Sequence, residues 1–446
     1  MKKNFAGAIC ALGGIAVLTA IAYSPAFTAD FVNWDDPEYV VNNYAIRGLA
    51  PGNIAAFFTR PYVGHYAPLT VLSYALDYRV YGLNPHGYHA TNLLLHIINS
   101  LLVCALAYAL SGSPAVGYVT AALFAVHPMH VESVAWVTER KDVLSALFYL
   151  FSILSYLAYL HGWVRRTPFT RTGCYLISLL FFLCALLSKA MAISLPLVLI
   201  LLDYCHGARE KAGAPGGTGL LRTSVRNKIP FLVLSAVLGA VILAVSKSNG
   251  AMKMAFYRDL PVHAMVATRN LLWYVKKMFY PVRLSAFYPY PASMHRELPV
   301  FMFCLVVTGA ASIVVIMAMR NRWLLFGALF YLIAIFPVLQ LIPVGNAIAA
   351  DRYTYLPSIG IFFIAGVLFD RVVSSAVNAR AGRLCRGGLY SALIAAIVCL
   401  SIFTTQRCLV WRDSERLWSD VIGKYPSTPT AWLNIGEVLL TRGRFD

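Results

Sequence analysis

Eleven apolar runs separated by polar segments dominate the chain, at residues 5–24, 88–110, 114–128, 143–161, 173–188, 190–205, 229–246, 298–319, 323–343, 356–370 and 389–405. A helix needs about 20 apolar residues to cross a bilayer, within a range of roughly 17 to 25. The third, fifth and sixth runs are short for that, and short spans occur where a bundle thins the local bilayer. The chain is 59% hydrophobic and only 13% charged, against about 25% charged in a soluble domain. The expected fold class is an all-α polytopic membrane protein with about 11 transmembrane helices, its outer loops carrying amphipathic helices. Residues 1–405 form the expected membrane domain, and residues 406–446 an extracytoplasmic linker followed by a helix of different character.

The formal net charge of +18 does not point to nucleic acid. The basic residues lie in short runs between apolar segments, where a membrane protein carries its orientation signals. With eleven crossings and the N-terminus inside, the inner segments hold 16 of the 37 Lys and Arg in about 60 residues, with very few acids. Nearly all the acids then fall outside. The opening "MKKNFAGAICALGGIAVLTAIAY" is longer than a signal-peptide core and reads as an uncleaved first helix. Most of the nine Cys lie inside apolar runs, so neither a disulfide framework nor a zinc site is indicated.

On this topology every unusual polar cluster faces one side. "NWDDPEYV" places Asp35 and Asp36 side by side. A lone Asp-Pro is an ordinary turn, but two adjacent carboxylates near a bilayer raise one another's pKa, which suits a general base. The stretch "HPMHVESVAWVTERKD" gathers His127, His130, Glu132, Glu139, Arg140, Lys141 and Asp142. Three readings stay open for it. His127, His130 and Glu132 are possible ligands of a divalent cation, although the spacing is not H-E-x-x-H. Arg140 and Lys141 could be charges snorkelling at a helix end. Or Arg140 and Lys141 form a phosphate clamp, oriented by Glu132 or Asp142.

Lys189 interrupts a nearly continuous apolar stretch, as either a tight turn or a cation aimed at an anion. "AADRYTYLPSIG" brings Asp351, Arg352, Tyr353 and Tyr355 to a helix start, where a buried Arg needs an anionic partner. His65 and Asp77 punctuate the apolar segment before residue 88, and His89, Asn92 and His96 share one helix face that must point into the bundle. At the chain end, Trp432, Leu433, Ile435, Gly436 and Leu439 fall on a helical period. They are similar to the first helix of a tetratricopeptide repeat, with an ordinary amphipathic helix as the other reading.

Taken together, "NWDDPEYV", "HYAPLTVLSYALDY", "NPHGYHATNLLLH", "HPMHVESVAWVTERKDVLS", "LSKAMAISLPL", "ADRYTYLPSIG" and "AWLNIGEVLLTRGRFD" resemble the glycosyltransferase C superfamily. More closely, they resemble the bacterial relatives of the transmembrane O-mannosyltransferases that carry tetratricopeptide repeats. A departure is Glu139-Arg140-Lys141, where members often have Gly-Arg-Ala.

The resemblance implies a lipid-phosphate-linked sugar donor, an extracytoplasmic site and a catalytic carboxylate in the first outer loop. The transfer would be a single displacement onto a hydroxyl of protein Ser or Thr, or of a glycan. Asp35 is then the expected base and Asp36 its support. Arg140, Lys141, Lys189 and Arg352 are expected at the donor phosphate. His65, His127, His130, Glu132, Asp142, Asp351 and Tyr355 are expected to bind or orient substrate. The expected location is a bacterial cytoplasmic membrane, crossed many times, with the N-terminus cytoplasmic and the C-terminus periplasmic or extracellular. The expected partners are membrane lipid, the polyprenyl-phosphate donor and a protein acceptor met by the repeats, with no nucleic acid.

Two other classes are distinguishable. A transporter or flippase of anionic lipid should place ionisable groups near mid-membrane and on both sides. A non-catalytic scaffold displaying repeats would tolerate replacement of Asp35.

Overall fold

The computed structural model describes residues 2–62, 64–161, 168–210, 225–248, 260–290, 302, 305–306, 308–309, 321–341, 347–376 and 382–443. It is almost entirely helical. Among the described residues, five helices are long and apolar enough to cross a membrane: Pro85–Ser111, Val137–His161, Thr170–Ser188, Ser358–Ala376 and Gly382–Val410. Five shorter apolar helices accompany them: Ala6–Ala22, Pro114–Val126, Ala190–His206, Ile229–Val245 and Arg322–Val338. These ten account for ten of the eleven expected runs, and the run at 298–319 lies largely outside the described residues. The protein is a multi-pass membrane protein. The fifth run is longer than its apolar core suggests, because the helix begins at Pro168 and takes in the polar turn around Arg171.

Packing follows the small residues. The Pro85–Ser111 helix lies against Pro114–Val126 and Arg140–His161, and the latter against Pro168–Ser188. Arg322–Ile335 and Ser358–Ala376 approach so closely that a Cβ on Gly327 would stand 2.6 Å from Gly360 O. A larger residue at either glycine would drive these two backbones apart. The Gly382–Val410 helix has little of its surface buried, and Leu384, Ile394, Val398 and Ile402 are exposed along it. That surface suits lipid contact.

One end of the bundle is elaborated by non-spanning pieces. The first loop turns through Pro37–Val41 and Tyr44–Arg47 into a short helix, Pro51–Thr59. It rests on a small core of its own, Tyr39, Val40, Ile46, Phe57, Val71, Tyr74, Ala75, Tyr88 and Val137. The stretch after Val126 breaks into three short turns, Pro128–His130, Val131–Ala135 and Val137–Glu139, before the next spanning helix. The strands Tyr288–Pro289 and Ala347–Ala349 pair antiparallel.

The amphipathic helix Leu260–Phe279 packs on this small sheet. Asn270 Nδ2 donates to Ile348 O at 2.7 Å, and Ala350 N donates to the Tyr274 hydroxyl at 3.2 Å. Phe279 and Tyr280 are exposed beside Lys276. Apolar rings next to a cation form an interfacial pattern.

The chain closes with two helices packed together, Ser414–Lys424 and Pro429–Thr441. The periodic residues expected to mark a repeat are not the buried ones, and Ile435, Gly436 and Leu439 are half-buried. Trp432 and Leu433 are exposed, while Ala431 and Val438 are buried.

Candidate active site

Asp35 and Asp36 enter a short turn, so neighbouring side chains leave it in different directions. Asp36 points inward and is 1% exposed. Its Oδ2 accepts Val32 N–H at 2.9 Å, and its Oδ1 accepts both Thr138 N–H at 3.0 Å and the Thr138 hydroxyl. Asp36 thus ties the first loop to the turn before the Arg140–His161 helix. Asp35 points the other way, with a side chain 21% exposed and Oδ2 4.0 Å from Lys141 Nζ. Trp34 locks the loop from the side. It stacks on Trp136 at 4.4 Å between ring centroids, and Trp136 stacks on Trp411 at 5.5 Å.

Burial pushes the Asp36 carboxyl up to about 7, against the pull of its three hydrogen bonds. The folded protein therefore holds this proton more tightly than the unfolded chain. The resulting stability is complete below about pH 4, the unfolded carboxylate value, and is lost as pH rises through about 7. D36N is expected to flatten the pH dependence of the melting temperature across that window, checked by thermal scans from pH 4 to 8. Burial also raises the Asp35 carboxyl, Lys141 draws it back, and Glu139 adds to the rise.

Beyond Asp35 lies a nearly closed ion cluster centred on Glu139. Glu139 Oε1 is 3.3 Å from Lys141 Nζ and 3.2 Å from Arg352 Nε, and Oε2 is 3.1 Å from Lys189 Nζ. Lys189 also meets Asp142 Oδ1 at 2.6 Å, and Asp142 Oδ2 accepts the Ser133 hydroxyl at 3.1 Å. Arg352 pairs with Glu132 through its side chain, and its backbone N–H donates to Glu132 Oε2 at 2.9 Å. Burial would lower Lys189, but Asp142 and Glu139 outweigh it and hold the ammonium above its ordinary value. Four carboxylates, Asp35, Glu132, Glu139 and Asp142, thus share three cations, Lys141, Lys189 and Arg352. His65 is exposed at the rim, in the tight turn closed by backbone pairing with Tyr62, and feels the charges of Lys141 and Glu139.

Several residues expected at the site take other positions. The fully buried Arg140 points away from this cluster. Its Nε donates to Asn92 Oδ1 at 2.7 Å and its Nη2 to Tyr88 O at 2.9 Å, and Nη2 is 2.5 Å from Asp77 Oδ2. Instead of offering donors to a phosphate, Arg140 joins three segments of the fold. Removing one partner of a buried ion pair costs about 3–5 kcal/mol. R140M is therefore expected to lower the melting temperature sharply, checked by thermal unfolding in detergent, with a stable fold at the wild-type midpoint counting against it.

The candidate metal ligands do not converge either. His127 Nε2 donates to Met278 O at 3.1 Å, and its Nδ1 accepts Met129 N–H at 3.3 Å. The ring nitrogens of His130 lie 2.8 Å from Phe124 O and 3.0 Å from Ser358 Oγ. Glu132 is held by Arg352. Among the described residues no three His, Cys, Asp or Glu side chains are grouped to hold a metal ion.

Asp351 and Tyr355 are equally buried. The Tyr288 hydroxyl donates to Asp351 Oδ1 at 2.7 Å. The Tyr355 hydroxyl lies 2.8 Å from His96 Nδ1 and 3.1 Å from Asn99 Nδ2. Both fix the turn that carries Arg352, and neither lines the cluster. A further buried pair, Lys228 on Asp203 with the Tyr156 hydroxyl donating at 2.8 Å, involves the far end of the Arg140–His161 helix.

Two residues at the centre have no assigned role in the sequence reading. Glu139 reads there as one charge among several near a helix end, yet three cations converge on it. Its only local signal is an acid set directly before two basic residues. Thr138 has no such signal, because its partner Asp36 is 102 residues away.

No protein-family model matches the chain. It is similar to the Homo sapiens protein O-mannosyl-transferase TMTC4, 25% identical over 97% of this chain and 64% of that protein. It is also similar to Homo sapiens TMTC1, 25% identical over 98% of this chain and 54% of that protein. Drosophila melanogaster Tmtc1 is 34% identical over 46% of this chain and 23% of its own length. The chain thus spans less than two thirds of the curated relatives it matches. Among solved structures, it shares the fold of the Archaeoglobus fulgidus oligosaccharyltransferase tethered to an acceptor peptide. That match has a TM-score of 0.53 and 14% identity, covering 95% of this chain and 58% of that one.

Proposed function

We propose that the chain is a membrane glycosyltransferase that moves a sugar from a polyprenyl-phosphate donor to a hydroxyl acceptor, in a single displacement with Asp35 as base. The observation that carries this reading is Asp35 itself, the accessible member of an adjacent carboxylate pair, beside a cluster holding Lys141, Lys189 and Arg352. The names of the curated relatives, protein O-mannosyl-transferases, support the reaction class. Mannose on a protein Ser or Thr is accordingly the transfer to test first.

The chemistry follows from charge. The acceptor oxygen attacks the anomeric carbon as the bond from that carbon to the phosphate oxygen breaks. The transition state has oxocarbenium character. Asp35 takes the proton from the acceptor hydroxyl. The departing lipid phosphate gains charge, and Lys141, Lys189 and Arg352 supply positive groups for it without a proton donor. A lipid-linked donor keeps its head in water and its tail in the bilayer, so a site at the end of the bundle suits it. We place that end on the extracytoplasmic face of a bacterial cytoplasmic membrane, on the basic bias of the opposite loops.

The test is to incubate purified protein with polyprenyl-phosphate sugars and follow sugar release, with and without chelator. Release supports the reading. No release from any donor, together with no glycan missing in a deletion strain, overturns it.

A further inference from the structure

Two residues before Asp35, Asn33 makes four hydrogen bonds, all to the closing pair of helices. Its backbone N–H donates to Ser414 Oγ at 2.8 Å. Its Nδ2 donates to Asn434 O at 2.9 Å and to Glu437 Oε2 at 3.3 Å, and its Oδ1 accepts Trp418 Nε1–H at 2.9 Å. The partners fix the orientation of the amide, since an indole N–H only donates and a backbone carbonyl only accepts. Nearby, Asp30 N–H donates to Arg412 O at 2.9 Å, and Trp34 meets Trp418 at 5.2 Å between ring centroids. Close packing does not do this job on the Asn33 side. A recess of about 230 Å³ lies there between Asp30, Phe31 and Asn33 on the loop and Ser414, Glu437 and Thr441 on the helices. On that side of the loop, the bonds of Asn33 bridge the gap, while Trp34 packs on Trp418 on the other.

We propose that Asn33 is a positioning residue for Asp35, through which the Ser414–Lys424 and Pro429–Thr441 helices hold the first loop in its reactive placement. This rests on the transferase reading above. Asn33 touches neither Lys141 nor any other member of the ion cluster, so it acts through the backbone it shares with Asp35. In N33D the acceptor for Trp418 survives. The donor to Asn434 O is lost, and a second carboxylate is set against Glu437. Adding E437Q restores a donor from the opposite partner, so the double variant tests the contact and not the size of the side chain.

The experiment measures sugar transfer and hydrogen exchange of the loop amides in wild type, D35N, N33D, E437Q and N33D/E437Q. N33D is expected to lower kcat about tenfold, with KM for the polyprenyl-phosphate donor within about twofold. Exchange at residues 31–36 should rise while the spanning helices stay protected, and the double variant should regain part of the loss, since the bond to Asn434 O stays broken. E437Q alone should stay within about twofold of wild type. If N33D does not fold, S414A, which removes only one acceptor, is read in its place and should show the same kcat and exchange changes at smaller size. Unchanged kcat, unchanged loop exchange or no rescue overturns the proposal. Inactive wild type would count against the transferase reading alone, because loop exchange still decides whether Asn33 holds the loop.

Discussion

D35N is expected to reduce sugar transfer by about 10²–10⁴-fold, the usual contribution of a positioned general base, while the protein stays folded. The two halves of this expectation have separate causes. Asp35 contributes little to the fold, since its ion-pair contact is a single 4.0 Å approach to Lys141 and its side chain is 21% exposed. Its amide replacement is nearly isosteric and keeps the turn, but it cannot accept a proton. D36N should behave in the opposite way, disturbing the loop first. The wild-type rate should rise with pH through the Asp35 titration, because the base acts only when ionised. Since burial raises that carboxyl, the acid limb should be displaced upward from the ordinary Asp value. Equal activity of D35N and wild type would remove Asp35 from the mechanism.

E139Q is the second large effect. Glu139 is 2% exposed and faces Lys141, Lys189 and Arg352 within 3.3 Å. Replacing it removes the one carboxylate that all three cations share, leaving Asp35, Glu132 and Asp142 to meet them singly. Breaking a buried pair costs about 3–5 kcal/mol, and a hub of three should sit at the upper end. The same loss should improve the protein as a receptor for phosphate, because the internal anion no longer competes for the cations. Polyprenyl phosphate should therefore raise the melting temperature of E139Q more than that of wild type. Saturation at about 100 times Kd would return about 2.7 kcal/mol. The check is a thermal scan of both proteins with and without the lipid phosphate. Equal melting temperatures, or equal stabilisation by the lipid, would deny Glu139 its central place.

The apolar runs were readable because lipid imposes length and hydropathy on each spanning helix separately, and ten of those runs appear as helices in the described residues. The charged members of the site were readable as types, since an acid or a base is rare in so oily a chain. Their pairing was not. Arg140 and Lys141 are neighbours in sequence, yet one is fixed by Asn92, Tyr88 and Asp77 and the other faces Glu139. Both open the Arg140–His161 helix, where successive residues stand about 100° apart around the axis and so meet different neighbours. Which neighbours those are depends on segments far away in sequence, as Asp77 and Asn92 are for Arg140. The bonds of Asn33 to residues 381 and 401 positions away are likewise invisible to any local pattern.

Those bonds also set a clock. The groups that hold Asn33 are made 381 to 401 residues after it. At a synthesis rate of about 5–20 residues per second, the loop waits about 20–80 seconds for its partners. Through that interval the intervening helices can insert and pack and Asp36 can meet Thr138, but Asn33 lacks the groups that hold it. On the Asn33 side the loop is complete only when the Ser414–Lys424 and Pro429–Thr441 helices reach it.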